Sequence, residues 1–242
     1  MPLAERLGAA RRLLASAPEA LVSAYGEGDN ARIVRGLRYE KRDPARMRLG
    51  LRLLAHAAGE EAIDFEVYLL GYGAAAAPGL EELLLGAVGE GGGAADVALA
   101  LRVLDALGKL KARSAAPAAA GLLGHADTWL RMGAAHALGE IGDPAYGPVL
   151  VQALDDSVYA VQNAALAGLA RLRWREAYPA VVELAGHPRE QVRRHAAHAL
   201  GELGVEGARP LLRRLAAEDL DSGVRYMASR ALERLARPPG PP

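Results

Sequence analysis

The chain has 242 residues, and its 29 basic residues balance its 29 acidic ones, so no overall field favours a polyanionic partner. Cysteine is absent, which excludes disulfides, thiolate catalysis and thiolate metal sites. Charged residues interrupt the apolar positions near the N-terminus, and no uncharged run is long enough to span a bilayer, so we expect a cytoplasmic protein with no membrane partner.

The charge is unevenly distributed along the chain. Residues 1–60 carry a net charge of +4, residues 61–156 of −8 and residues 157–242 of +4. Solvated helix faces account for such blocks, and a patterned surface that orients a partner is the alternative.

The first part of the chain, residues 1–73, has helical periodicity without a clean repeat. We expect short helices here, the last ending at residues 71–73, and they form either an N-terminal cap or degenerate repeats. Residues 74–95 predict a helix followed by a Gly-rich insertion at 89–93. A flexible loop is favoured over a phosphate-binding loop, because no strand precedes the glycines and no Gly-Lys-Ser/Thr follows them.

Two sets of residues then recur at an interval of 31 residues, with a single interval of 32. The first set is the leucines Leu107, Leu138, Leu169, Leu200 and Leu232. The second set is the prolines Pro117, Pro148, Pro179 and Pro210. Two independent sets with the same spacing indicate a tandem array over residues 96–236, which a Pro-rich tail at 237–242 follows.

The clearest unit predicts a hairpin of two helices. The first covers residues 127–139, with Asp127 as its N-cap and with Gly139 and Gly142 at its end. Its apolar stripe consists of Leu130, Ala134, Ala137, Leu138 and Ile141. The second helix covers residues 144–154, and Pro148 is expected to bend it by removing a backbone hydrogen bond. A hairpin with two apolar faces must stack on its neighbours, which explains the array.

The pattern of this unit reads Asp127-x-x-Leu130-Arg131-x-x-Ala134-Ala135-x-Ala137-Leu138-Gly139-x-Ile141-Gly142-Asp143-Pro144. It resembles the HEAT repeat, and most closely the short bacterial HEAT-like repeats first named from phycobilisome lyases. The unit around Arg193 repeats the pattern, whereas the intervening unit departs from it with Gln162 in place of arginine. The resemblance implies an all-α fold, a right-handed alpha-alpha superhelix that is a HEAT-like solenoid of helical hairpins.

In this family the Ala-Leu-Gly helices line the concave face, so the resemblance also implies a binding groove. The outward positions, which are the candidate partner-binding residues, are Trp129, Met132, His136, Tyr159, Asn163, Gln191, Arg194, His195, His198, Tyr226 and Arg230. Aromatic, Met and Arg side chains are enriched at protein interfaces, and packing of Trp129 and Met132 on a neighbouring repeat is the alternative. Trp129 and Tyr159, near the starts of adjacent helices, are expected to form one aromatic anchor.

We therefore expect a non-catalytic scaffold or adaptor that binds a protein partner in the groove and needs no cofactor or metal. His136 and His198 are equivalent residues two repeats apart, as are His125 and His187. Neighbouring helices pack about 8–10 Å apart, so residues two repeats apart are separated by roughly 16–20 Å. The members of each pair therefore lie too far apart to share a metal ion. The His-Glu pairs of the family's di-iron hydroxylase do not occur, and no serine has the setting of a nucleophile.

Two alternatives come from the same resemblance. HEAT-like alkylpurine DNA glycosylases bind DNA in a basic concave face, which predicts a positive stripe and a stacking tryptophan, Trp129 or Trp174. The arginines of that stripe would be Arg193, Arg194, Arg213, Arg214 and Arg225. The acidic middle of the chain opposes this reading because it repels phosphate. A bilin lyase is the second alternative, although nothing in the repeat pattern carries that chemistry.

Overall fold

The computed structural model describes residues 47, 51, 69–88 and 94–236. The helices expected before residue 69, the glycine loop at 89–93 and the tail at 237–242 lie outside the described residues. Every regular element in the described part is an α-helix or a 3₁₀ helix, which confirms the all-α fold. The chain divides into two compact units, residues 1–112 and 113–242.

The first unit contains two described helices, α1 (Ala77–Ala87) and α2 (Ala94–Lys109), which pack against each other. Leu80 and Leu84, one turn apart on α1, are fully buried. The helical residues before α1 end in a turn in which the Tyr72 N–H donates to the Leu69 carbonyl at 2.9 Å. This confirms the predicted helix end at residues 71–73.

The second unit alternates short and long helices. The short helices are α3 (Ala116–Leu122), α5 (Gly147–Gln152), α7 (Tyr178–Leu184) and α9 (Arg209–Glu218). The long helices are α4 (Thr128–Ile141), α6 (Tyr159–Leu172), α8 (Glu190–Leu203) and α10 (Ser222–Ala236). The long helices pack side by side in chain order, and each short helix packs on the long helix that follows it. The unit is thus a solenoid of helical hairpins, as predicted, although the short helix pairs with the long helix after it rather than the one before.

Helix α4 has the predicted start and apolar stripe. The Asp127 carboxylate accepts hydrogen bonds from the N–H groups of Trp129 and Leu130, at 2.8 and 3.1 Å. All five predicted stripe residues are buried. The helix ends where Gly142 adopts the left-handed conformation, with φ of 76°. Gly139 does not end the helix as predicted, because α4 continues through it to Ile141.

Gly139 instead marks the closest approach of two long helices. A Cβ on Gly139 would lie 2.5 Å from the Cα of Gly168 in α6. At the equivalent position between α8 and α10, a Cβ on Gly201 would lie 2.8 Å from the Cα of Ala231. Small residues therefore set the spacing of the long-helix layer.

Pro148 does not bend a helix, contrary to the expectation. A 3₁₀ turn, Pro144–Tyr146, precedes α5, so Pro148 lies in the first turn of α5. An N–H at that position would have no intrahelical acceptor, so proline costs no hydrogen bond there. The other three recurring prolines also lie in the first turns of their short helices.

Arginines on the long helices tie the turns together. Arg131 donates to both carboxylate oxygens of Asp156, at 2.7 and 3.1 Å, and its third nitrogen donates to the carbonyls of His125 and Ala126, each at 3.0 Å. Gln162, the departure from the repeat pattern, makes only one such bond, to the Asp156 carbonyl at 2.9 Å. A guanidinium can thus link two successive turns, whereas the amide secures one.

The same arrangement returns two repeats later. Arg193 donates to both carboxylate oxygens of Asp219, each at 2.8 Å, and to the carbonyls of His187 and Pro188, at 3.0 and 3.1 Å. Arg131 and Arg193 hold equivalent positions two repeats apart, and Gln162 holds the position between them. The full set of four arginine hydrogen bonds is therefore present in the first and third of these three repeats.

The equivalent histidines have a structural role in these turns. Nδ1 of His125 accepts the Asp127 N–H at 2.9 Å, and Nδ1 of His187 accepts the Arg189 N–H at 3.0 Å. Within the described residues, no three His, Asp or Glu side chains converge on a possible metal site. The hydrogen bond that each imidazole accepts from a backbone N–H therefore explains why histidine recurs at this position of the turn.

The stabilising effect of Asp219 is expected to disappear in acid. The hydrogen bond from Arg193 lowers the pKa of Asp219, and Arg131 lowers the pKa of Asp156 in the same way. A carboxylate whose folded pKa lies below its unfolded value of about 3.9 stabilises the fold fully above that value, and the stabilisation is lost as the pH falls through the folded pKa. The free energies of unfolding of the wild type and Asp219→Asn, measured in urea, should therefore differ at pH 7, and the difference should begin to shrink as the pH falls below about 4. A difference that stays constant down to about pH 2.5 would contradict this origin.

Candidate functional site

The long helices of the second unit carry half-buried or exposed residues at every third or fourth position, and these form one surface, which we call the open face. Aligning α4, α6, α8 and α10 by the repeat gives three rows. The first row is Met132, Asn163, Arg194 and Tyr226. The second row is His136, Ala167, His198 and Arg230. The third row is Glu140, Arg171, Glu202 and Arg234.

The third row alternates in charge. Arg171 Nε lies 2.9 Å from a Glu140 oxygen, and Arg234 Nη1 lies 2.6 Å from a Glu202 oxygen. The first pair links α6 to α4 and the second links α10 to α8. Because the arginine of each pair is well exposed, each pair contributes about 1 kcal/mol at most. Their main effect on the open face is to neutralise the edge that this row forms.

A cleft of about 510 Å³ opens between α6, α8 and α10. Its lining residues are Ala167, Ala170, Arg171, Arg173, Arg194, His195, His198, Glu202 and Met227. A smaller depression of about 270 Å³ continues along α8 and α10 and shares His198, Glu202 and Met227 with the cleft. The cleft therefore combines an apolar part, from two alanines and a methionine, with three guanidinium groups.

The three arginines of the cleft differ in how they are paired. Arg171 is neutralised by Glu140. One nitrogen of Arg194 lies 3.1 Å from an Asp221 oxygen, while its Nε is buried without a hydrogen-bond partner. Among the residues that the structure describes, Arg173 has no side-chain hydrogen bond and no ion pair. Arg173 is thus the cation of the cleft that remains available to a ligand.

Arg173 also has an unusual backbone conformation. It ends α6 with φ of 49°, in the left-handed region, where the neighbouring repeats carry Gly142 and Gly204 with φ of 76° and 66°. A side chain in this region costs about 1 kcal/mol or more relative to glycine. Lys111, which follows the end of α2, has the same conformation, with φ of 51°.

His198 lies at the boundary of the cleft and the smaller depression. Burial lowers its pKa, and the positive charges of Arg234, His195 and Arg171 act in the same direction, whereas Glu202 at 3.6 Å opposes them. The ring is therefore neutral near pH 7 and offers one hydrogen-bond donor and one acceptor.

The predicted partner-binding residues divide into two groups. Those that line the cleft or the depression are Arg194, His195, His198, Tyr226 and Arg230. Those that lie outside both are Trp129, Met132, His136, Tyr159, Asn163 and Gln191. Sequence reasoning missed Arg171, Arg173, Glu202 and Arg234, although the repeat columns that contain them were available as a signal.

Three aromatic residues belong to the open face: Tyr226 in its first row, and Trp129 and Tyr159 in the first turns of α4 and α6, just before that row. Trp129 and Tyr226 are 60% and 63% exposed, and Tyr159 is 40% exposed. The guanidinium carbon of Arg189 lies 4.6 Å from the centroid of the Tyr159 ring. Among the described residues, Tyr159 stacks with this arginine and makes no ring contact with Trp129. Trp129 and Tyr159 therefore do not stack on each other, and their contact with one partner residue stays a prediction.

The five arginines of the expected basic stripe do not lie together. Arg193 and Arg225 direct their guanidinium groups to the turns, where Arg225 donates to the carbonyls of Asp219 and Leu220. Arg194 belongs to the open face, and the remaining two arginines lie on α9 in the short-helix layer. Trp174 is half-buried against Gly147, where an added Cβ would lie 2.3 Å from its ring. These positions do not provide a continuous surface for a phosphate backbone.

Comparison with known proteins relates the chain to proteins built of HEAT repeats. The family model described as HEAT repeats matches residues 92–170 and, in a second match, residues 147–233. No curated protein matches the chain. In residues 69–88 and 94–236 we find no helix with the length and apolar character needed to cross a bilayer.

Several solved structures share the fold. One is from the complex of CpcE and CpcF of phycocyanin lyase from Nostoc sp. PCC7120, with 24% identity, a TM-score of 0.57 and coverage of 81% of this chain and 79% of that one. A second is a designed armadillo repeat protein in complex with the peptide (KR)4, with 18% identity, a TM-score of 0.55 and coverage of 89% and 98%. A third is a computationally designed armadillo repeat protein for modular peptide recognition, with 18% identity, a TM-score of 0.52 and coverage of 88% and 98%. At these identities the likeness concerns the fold alone.

Proposed function

The chain belongs to the HEAT-repeat family, and from this premise we propose that it is a non-catalytic scaffold that binds a segment of a partner protein along its open face. The observation that carries the proposal is the set of exposed aromatic rings on one layer of helices. Trp129 and Tyr226 expose most of their area, and rings in such positions supply much of the energy of protein interfaces.

Polar groups on the same face lack partners within the protein. The Asn163 Oδ1 atom is buried and accepts no hydrogen bond, and the Arg194 Nε atom is buried and donates none. A buried polar atom without a partner costs about 1–3 kcal/mol. Both atoms lie beneath the surface, so they are a local cost of the open face and not contacts that it offers to a partner.

The fold supports the same proposal. Of the designed armadillo repeat proteins with a similar fold, one is in complex with the peptide (KR)4 and another was designed for modular peptide recognition. The likeness to a structure from a phycocyanin lyase complex concerns the fold alone. Helices that are already ordered avoid the entropic cost of forming a binding surface, so a segment of modest contact area can bind.

The proposal is tested by comparing capture from a bacterial lysate by three tagged forms of the full chain, with and without nuclease. The double variant Trp129→Ala/Tyr226→Ala should lose a defined protein partner that the wild type retains after nuclease, with affinity for the purified partner reduced about 10-fold or more. The control is Leu85→Ala, which removes an exposed apolar side chain from α1 in the other unit. Equal capture by all forms would place binding elsewhere, and loss of all capture on nuclease treatment would favour a nucleic-acid partner.

A further inference from the structure

We infer that the cleft between α6, α8 and α10 binds a carboxylate side chain, aspartate or glutamate, of the partner segment, with Arg173 as the cation that pairs with it. The inference rests on the proposed function, because it specifies the chemistry of the segment that the open face binds. It concerns residues of one compact unit only, 113–242.

The charge of the cleft fits one anionic group. The cleft and its direct ion-pair partners contain four arginines, namely Arg171, Arg173, Arg194 and Arg234. Three carboxylates oppose them, namely Glu140, Glu202 and Asp221. Three of the arginines are each paired with one of these carboxylates, so the excess positive charge is on Arg173. A single carboxylate would neutralise it.

The other lining groups suit the rest of an acidic side chain. Ala167, Ala170 and Met227 offer apolar surface to its methylene groups. The guanidinium of Arg194 uses one nitrogen for Asp221 and therefore keeps donors for a second oxygen. His198, which is neutral near pH 7, supplies a further hydrogen bond without adding charge.

A polyanion fits the same surface poorly. Glu202 lines both the cleft and the depression beside it, and Glu233 lines the depression as well. Successive phosphates would lie next to these carboxylates, and like charges at short distance repel. One carboxylate on a peptide brings a single negative charge into the cleft, where Arg234 already pairs with Glu202.

The backbone of Arg173 carries a conformational cost, as that of Lys111 does at the equivalent position two repeats earlier. Glycine occupies this position in the repeats before and after, where it avoids the cost of the left-handed conformation. Arginine bears that cost without any side-chain hydrogen bond or ion pair within the described residues in return. Residues held in unfavourable conformations concentrate at binding sites.

The test uses peptides selected from a random phage-displayed library on the immobilised full chain. The tightest peptide is synthesised with a fluorescein label, and its Kd is measured by anisotropy. We expect an acidic residue to be enriched at one position, and Arg173→Gln to weaken binding about 10-fold. Replacing that acidic residue by its amide should weaken binding equally, and the two changes together should have little further effect. Arg213→Gln, on exposed α9, is the matched control and should change the Kd less than about 2-fold.

A second variant separates binding from folding. Arg173→Gly should raise the urea midpoint, because glycine relieves the left-handed conformation, and should lose as much affinity as Arg173→Gln. Selected peptides that need Trp129 and Tyr226 but lack an acidic preference, or that bind Arg173→Gln normally, would overturn this inference and leave the proposed function intact. A library that yields no binder, or Arg173-dependent binding of a labelled oligonucleotide only, would overturn both.

Discussion

Gly139→Ala is expected to reduce the free energy of unfolding by about 2 kcal/mol or more, although alanine is the better helix former. The added Cβ would lie 2.5 Å from the Cα of Gly168, and a backbone atom cannot rotate away as a side chain can. Helices α4 and α6 would have to move apart, which opens gaps along a tightly packed layer. The overpacking cost must also exceed the gain of about 1 kcal/mol in helix propensity. The measurement is urea unfolding followed by circular dichroism.

Gly121→Ala is the matched control for this prediction. Gly121 lies in α3, and a Cβ there would meet nothing within 4 Å. The same substitution should therefore stabilise the protein by up to about 1 kcal/mol. Gly201→Ala, against the Cα of Ala231, should behave like Gly139→Ala. A Gly139→Ala protein as stable as the wild type would show that the layer spacing is not set by this contact.

The features that the sequence predicts well are those that depend on local residues or on the repeat. The Asp127 cap needs only the two N–H groups that follow it, and the apolar stripe of α4 follows from helical spacing. The constant repeat period identifies equivalent positions, so one well-interpreted unit predicts the hairpins of the others. The solenoid could therefore be predicted without knowledge of any long-range contact.

Gly139 and Pro148 show why other features could not be predicted. A glycine can permit a positive φ or allow a close approach, and the sequence alone does not distinguish these roles. Gly142 has the first role and Gly139 the second, and the difference depends on α6, which lies one repeat away. The sequence pattern places Pro148 inside a helix because the 3₁₀ turn before α5 is too short to give its own periodic signal.

The candidate site was only partly predictable for a related reason. Outward positions in the middle of the long helices follow from helical spacing, which points to Arg194, His195 and His198. Arg173 lies just beyond the end of α6, where helical spacing no longer applies. Its availability to a ligand depends on which other arginines are already paired. Arg171, for example, pairs with Glu140 of the preceding repeat. Charge pairing between repeats is a tertiary property that composition does not reveal.

Arg193→Ala is expected to reduce the free energy of unfolding by about 2–4 kcal/mol, since it removes both bonds to Asp219 and both bonds to the preceding turn. Asp219 is almost fully buried, with 5% of its side chain exposed, so its charge would remain without the guanidinium that balances it. Arg193→Lys should recover little of the loss, because one ammonium cannot bond a carboxylate in a fork and two carbonyls together. Arg213→Ala, on the exposed surface of α9, should change stability by less than about 0.5 kcal/mol. If urea unfolding gave equal losses for Arg193→Ala and Arg213→Ala, the network could not be what joins successive turns of the array.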